Sequence, residues 1–259
     1  MLAAVLQLAR APRALVDLRA CVRACVLQRE VNWDTKTQNL VSNPVPELLK
    51  LRSATPMASE TIPSLAVNAP HIIAKTGGGA AASADIVVKF SGFTNASKGS
   101  FGLCVLGNGQ GTGNGTSGIG ITINLVRKSG TAINHNLLPF HVAIASGRCQ
   151  ISRGTASFSA GTDAGKSTLD AGKLASHMQL FEDETELTVR VLPDRSVADW
   201  FVQGGRWAAT DGWQGTEPRK PEDSNVMLWS SAAGVSAQVD VYGMGCGWLN
   251  PSYTEHPTL

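Results

Sequence analysis

Apolar and polar residues alternate along much of this chain after residue 85, with the two-residue period of half-buried strands. Leu187, Val189 and Val191 alternate with Thr188, Arg190 and Leu192. Ile119, Ile121, Ile123 and Leu125 alternate with Gly120, Thr122 and Asn124, and Ile86, Val88 and Phe90 with Val87 and Lys89. Phe101–Leu106, Val226–Trp229 and Val235–Tyr242 add further strands, His141–Ala145 and Cys149–Ser152 weaker ones, and a first edge strand falls around Ala69–Ala74. No strong helical period follows residue 55. Many short strands broken by turn residues predict an all-β fold, an antiparallel two-sheet β-sandwich of jelly-roll or concanavalin-like type.

The densest part of the pattern is Leu187–Thr210, which reads as a meander of three strands. Pro193-Asp194-Arg195-Ser196 supplies turn chemistry, because proline presets φ and a short polar side chain caps a turn. Val197–Gln203 then runs to Gly204-Gly205, where glycine tolerates the positive φ of a tight hairpin. Arg206–Thr210 begins the third strand. Trp200, Phe201 and Trp207 are its aromatic anchors.

Upstream, the pattern changes. Leu15, Leu18, Val22, Cys25 and Val26 share one helical face, so residues 1–26 read as a short stub, weakly helical or disordered. An arginine-rich transit peptide is the alternative. Pro44 and Pro46 fix φ and remove donors, which makes an extended spacer ahead of one or two helical turns over Glu47–Arg52. Residues 27–68 are therefore read as a junction, 69–250 as the sandwich and 251–259 as a tail. Gly107–Gly118 is a long hairpin loop, since no Gly-Lys pair closes it for phosphate binding.

Composition narrows the partners. Basic and acidic residues number 22 and 20, a balance that argues against a nucleic-acid groove or a polybasic membrane surface. No apolar run reaches the roughly 18 residues that a membrane span needs. Five cysteines, Cys21, Cys25, Cys104, Cys149 and Cys246, show no framework spacing. Asn95-Ala96-Ser97 and Asn114-Gly115-Thr116 are N-glycosylation sequons in turn-like contexts.

Asp194-Arg195-Ser196-Val197-Ala198-Asp199-Trp200-Phe201, followed by Gly205-Arg206, resembles the signature of the C-terminal β-sandwich of glycoside hydrolase family 32. Asp199 departs from the glutamate of many members, and Trp200 is bulkier than usual. Pro44-Val45-Pro46-Glu47-Leu48, with Lys50-Leu51-Arg52, is similar to that family's interdomain junction, although Gln28 stands where a proline is usual. The resemblance implies a fold in which the sandwich packs on a catalytic β-propeller and stabilises it. It also implies hydrolysis of terminal fructosyl linkages in sucrose or fructans by the intact enzyme, and a secreted or vacuolar location.

The chemistry of that reaction is missing from these residues. A retaining glycosidase needs two carboxylates roughly 5–5.5 Å apart. The family supplies them from N-D-P-N-G and E-C motifs, with an R-D-P aspartate binding the sugar, and none of these strings occurs here. Asn32-Trp33-Asp34 is the nearest approach, but Thr35 replaces the proline. His71, His135, His141, His177 and His256 show no triad or metal spacing. No catalytic residue, metal ligand or cofactor site is therefore expected.

The remaining candidates have two readings each. Glu182-Asp183-Glu184 with Glu186 reads as a solvated loop. Asp199 shares a face with Val197 and Phe201, and a buried carboxylate needs a partner, for which Arg195 or Arg206 is nearest in sequence. Trp200, Trp207, Trp213 and Trp229 either plug the core or a domain interface, or form a platform for fructan or another glycan. The sequence thus describes a structural module, with a free-standing lectin-like sandwich as the alternative.

Overall fold

The inward residues of the alternating segments meet across two antiparallel sheets. The computed structural model describes residues 29–93, 99–107, 116–127, 137–152, 155–158, 176–181, 183–212 and 223–245. Strands β1 (Arg29–Asp34) and β2 (Asn39–Pro44) form a separate hairpin, and a 3-10 helix (Pro46–Leu51) follows. The six-stranded sheet takes the order β13 (Trp207–Gly212), β12 (Val197–Val202), β11 (Leu187–Asp194), β5 (Ala84–Ser91), β15 (Ser236–Gly243), β3 (Ala58–Ile62). The seven-stranded sheet runs β10 (Ser176–Phe181), β8 (Leu137–Ser152), β7 (Thr116–Arg127), β6 (Ser100–Gly107), β14 (Asn225–Ser230), β4 (His71–Ile72). The short β9 (Thr155–Phe158) pairs with the far end of β8.

Between the sheets lies one continuous core. Ile86, Val88 and Phe90 of β5, Val189 and Val191 of β11 and Trp200 of β12 are completely buried there. Phe101 and Leu103 of β6 and Ile121 and Ile123 of β7 come from the other layer. The Phe90 and Phe101 rings meet across the interface with centroids 4.9 Å apart. Each such side chain contributes roughly 1.5–3 kcal/mol of apolar burial.

Outside the seven-stranded sheet sits a second, smaller cluster of Cys104, Cys149, Met227 and Trp229. Cys104 on β6 and Cys149 on β8 form a disulfide with Cα atoms 6.1 Å apart, although β7 runs between those strands. The intervening strand is bare at this point. Gly120 is the register partner of Cys104 and Gly118 that of Cys149. A Cβ on Gly118 would lie 2.8 Å from the Cys104 sulfur and 2.4 Å from the Val105 carbonyl oxygen.

Several expectations need correction. Pro193 is not in the turn but in β11, opposite Ala198, beyond the point where the β5 ladder ends at Val191. Its missing N–H therefore leaves no ladder bond unmade. The connection is only Arg195-Ser196, with Arg195 at φ +54° and its amide donating to the Ala82 carbonyl. His141–Ala145 and Cys149–Ser152 are parts of one strand, β8. The edge near Ala69–Ala74 narrows to His71–Ile72, while Ala58–Ile62, inside the stretch read as junction, pairs with β15. The 3-10 helix over Pro46–Leu51 matches the one or two helical turns expected there, and Val45 before it is extended.

The outer face of the six-stranded sheet is not left to water. Leu192 and Phe201 point away from the core by alternation, yet each is only 3% exposed. The junction runs over this face, from the hairpin at one end to Arg52 at the other. The stub, the tail, Asn95, Asn114, Trp213, His135 and His256 lie outside the described residues.

Candidate functional site

The distinctive chemistry of this chain is concentrated where the junction meets the meander. Ala198, Trp200 and Val202 face the core, so Asp199 projects to the outer face, where it is 2% exposed. The Arg29 guanidinium, arriving on β1, donates from Nη2 to Asp199 Oδ1 at 2.6 Å and to the Thr210 hydroxyl at 2.5 Å. The Thr210 hydroxyl itself donates to the same carboxylate. Arg29 also lies 5.1 Å over the Phe201 ring. Neither Arg195 nor Arg206 fills this role: the former is exposed in its turn and the latter turns to Glu184. A buried carboxylate finds the partner that topology delivers, here 170 residues away.

A second fastening holds the far end. Asp85 on β5 is fully buried and accepts two bonds from Arg190, at 2.9 and 2.7 Å. Arg52, which closes the junction motif, approaches the same carboxylate at 3.3 Å and stacks 3.5 Å above the Tyr242 ring. Forked guanidinium contacts of this kind are among the stronger hydrogen-bonded pairs.

Between the two fastenings the hairpin is seated by main chain. The Ser42 amide donates to the Gly205 carbonyl at 2.9 Å. Gly205 has φ +81°, and a Cβ there would fall 2.4 Å from the Ser42 oxygen. The glycine thus serves both the turn and the close approach of β2.

Beside this contact a cleft of about 370 Å³ opens between hairpin and turn, lined by Trp33, Asp34, Lys36, Thr37, Val41, Phe181, Glu184, Gln203, Gly204 and Arg206. Its charges are paired. Arg206 donates to Glu184 at 2.6 Å, and Glu184 accepts the Phe181 amide at 2.8 Å. Lys36 reaches Asp183 at 2.8 Å and lies 4.4 Å from the Phe181 ring. The acidic run is therefore only partly the solvated loop expected from sequence: Asp183 is exposed, but Glu184 is held against Arg206.

These pairings set the protonation of the cleft. The Thr37 hydroxyl and then the Lys36 amide hold the Asp34 carboxyl below its ordinary range. Lys36 does the same for Asp183. Asp34, in the tripeptide nearest to a catalytic motif, thus caps the hairpin turn. Burial instead pushes Asp194 and Asp211 up, Asp211 against the opposing pull of Ser146 and Trp200. Neither lines the cleft. In the cleft, Arg206 thus holds Glu184, while the hydroxyl and amide of the hairpin turn hold Asp34. Among the described residues no cluster of His, Cys, Asp and Glu has the makings of a metal centre.

The tryptophans are dispersed. Trp200 is completely buried in the core, Trp229 packs beside the disulfide, and Trp207 is half-buried against the core. Trp200 and Trp229 have no face open to a sugar. Trp33, which the sequence reading did not single out as an aromatic candidate, is 60% exposed beside Val31 at 58% and Leu40 at 60%. Arg29, Arg52, Asp85 and Arg190 were also not candidates. Arg29 and Arg52 carried a signal, as the arginines at the two ends of the family-like junction motif.

No protein-family model and no curated protein matches the chain. Solved structures do. Fructan 1-exohydrolase IIa from Cichorium intybus superposes with a TM-score of 0.55 at 15% identity, over 85% of this chain and 41% of that enzyme. A Glu-to-Gln variant of the same enzyme in complex with 1-kestose gives a TM-score of 0.56 at 16% identity, over 84% and 40% of the two chains. The chain therefore has the fold of part of these proteins and spans about two fifths of their length.

Proposed function

We propose that this chain is a stabilising β-sandwich module like the one glycoside hydrolase family 32 β-fructofuranosidases carry at their C-terminal end, and that it acts by holding a junction segment in place. The observation that carries this reading is the double fastening of the junction, Arg29 on Asp199 and Arg52 on Asp85. Four residues of the family-like motif, Asp199, Phe201, Gly205 and Arg206, lie at this seam. In this role the sandwich fixes the direction in which the chain enters it, and the partner is a catalytic β-propeller.

Hydrolysis belongs to that partner. Purified chain incubated with sucrose or inulin is expected to release no reducing sugar, and calorimetric titration with inulin or levan to give no heat. Glucose and fructose release proportional to the chain's concentration would overturn the structural reading. Saturable heat with inulin would instead support the lectin-like alternative.

A further inference from the structure

We propose that Asp211 is a proton-operated latch on the last strand of the six-stranded sheet, closing β13 against β8 in acid and releasing it, together with Thr210, toward neutral pH. Register puts the carboxyl group inside. Trp207, Ala209 and Asp211 pair with Val202, Trp200 and Ala198 of β12, and all three of those partners are completely buried in the core. Paired residues share a face, so Asp211 looks inward from the strand that ends this sheet. On the facing sheet, Val142 and Ile144 of β8 belong to the core, and Ser146 follows them in the same alternation. A carboxyl group and a hydroxyl thus meet where the apolar pattern of both sheets runs out.

The atoms that meet there suit a neutral carboxyl group. Ser146 reaches it from β8, and the Trp200 indole is close enough to pull on it. Yet Trp200 Nε1 and Asp211 Oδ2, both shut off from solvent, close no hydrogen bond of ordinary geometry. A protonated carboxyl can donate to the serine oxygen, whereas a carboxylate can only accept. Ionisation at this place gives up water for incomplete compensation, which is costly. Burial accordingly favours the proton, and the negative charge of Asp199 adds to the effect. Around this carboxyl, Asp199 stands on the outer face bound to Arg29, Asp194 and Arg195 at the turn from β11 to β12, and Arg148 two positions beyond Ser146.

The neighbouring residue carries the effect to the junction. Thr210 points to the opposite face of β13, where its hydroxyl donates to Asp199 and accepts from Arg29. Release of β13 therefore withdraws one of the groups that fasten the hairpin. Gly205, just before this strand, receives the Ser42 amide and shares in the loosening. The latch acts within the chain and needs no second domain, so it stands or falls separately from the proposed function.

The test is hydrogen exchange of the 259-residue chain between about pH 4 and about pH 7, read as protection factors so that the intrinsic pH dependence cancels. The β13 amides are expected to exchange by local opening, faster than those of β15, and to lose protection several-fold as pH rises. The Ser42 amide is expected to follow them. Asp211→Asn, which keeps the shape but cannot ionise, should hold its protection across the whole range. Ser146→Ala should lose protection in acid, where the partner is needed. Protection of β13 that is flat in pH would overturn the latch, as would protection that rises because Arg148 captures the carboxylate. So would an Asp211→Asn chain with the wild-type slope, or a β13 that exchanges only together with β15 in global unfolding. A Ser42 amide without the slope would overturn the link to the junction.

Discussion

Arg29 and Asp199 form an ion pair at 2.6 Å between the first described strand and the middle of the meander, with the carboxylate side chain only 3% exposed. Removing the arginine leaves that carboxylate buried with one hydroxyl donor. Breaking one side of a buried pair costs about 3–5 kcal/mol, and the partly exposed arginine places Arg29→Ala near the lower end. The urea midpoint of unfolding should fall accordingly. Asp199→Asn, which keeps an acceptor for Arg29 and Thr210, should cost less.

Gly204 and Gly205 differ in what surrounds them, and substitution should separate them. Gly204 has φ +65° with open space around it, so Gly204→Ala meets only the left-handed backbone penalty of roughly 1–2 kcal/mol. Gly205→Ala adds the collision with the Ser42 oxygen and should unseat the hairpin. Hydrogen exchange at the β2 amides should accelerate in Gly205→Ala and stay near wild type in Gly204→Ala.

The disulfide makes its own prediction. Closing a loop of 45 residues between Cys104 and Cys149 stabilises by about 4 kcal/mol in the chain-entropy description. Reductant should lower the thermal midpoint of the wild type. Gly118→Ala, whose methyl group would sit against both sulfurs, should yield free thiols at Cys104 and Cys149 in non-reducing peptide mapping.

Asp211 gives a pH dependence with a defined sign. Burial raises its carboxyl above the ordinary value of 3.8, so the folded state holds this proton more tightly than the unfolded chain. Its contribution to stability is complete below pH 3.8 and is lost as pH rises through the folded-state value. Asp211→Asn should therefore be more stable than wild type at neutral pH, with the difference vanishing in acid. Urea titrations across pH 3 to 7 read this directly.

The strands of the core were legible in the sequence because Ile86, Val88, Phe90, Leu187, Val189 and Val191 alternate without interruption. The Arg195-Ser196 turn was legible from its turn residues, though Pro193 misplaced its start. What was hidden is carried by pairing across distance. Nothing near Asp199 in sequence announces Arg29, and the spacing of Cys104 and Cys149 carries no pattern. Ala58–Ile62 escaped notice because an edge strand with Ser59, Glu60 and Thr61 in its middle looks like a loop. Phe201 was legible as an aromatic anchor, whereas Leu192, which alternates with the inward Val189 and Val191, is buried on the outer face as well.

The seat of the hairpin at Ser42 and Gly205 is made from main chain on both sides. Mutational drift along β2 can therefore proceed without loosening that seat, while position 205 tolerates almost no drift at all. In a set of related sequences, this lineage would leave its mark as a constant glycine facing a variable strand.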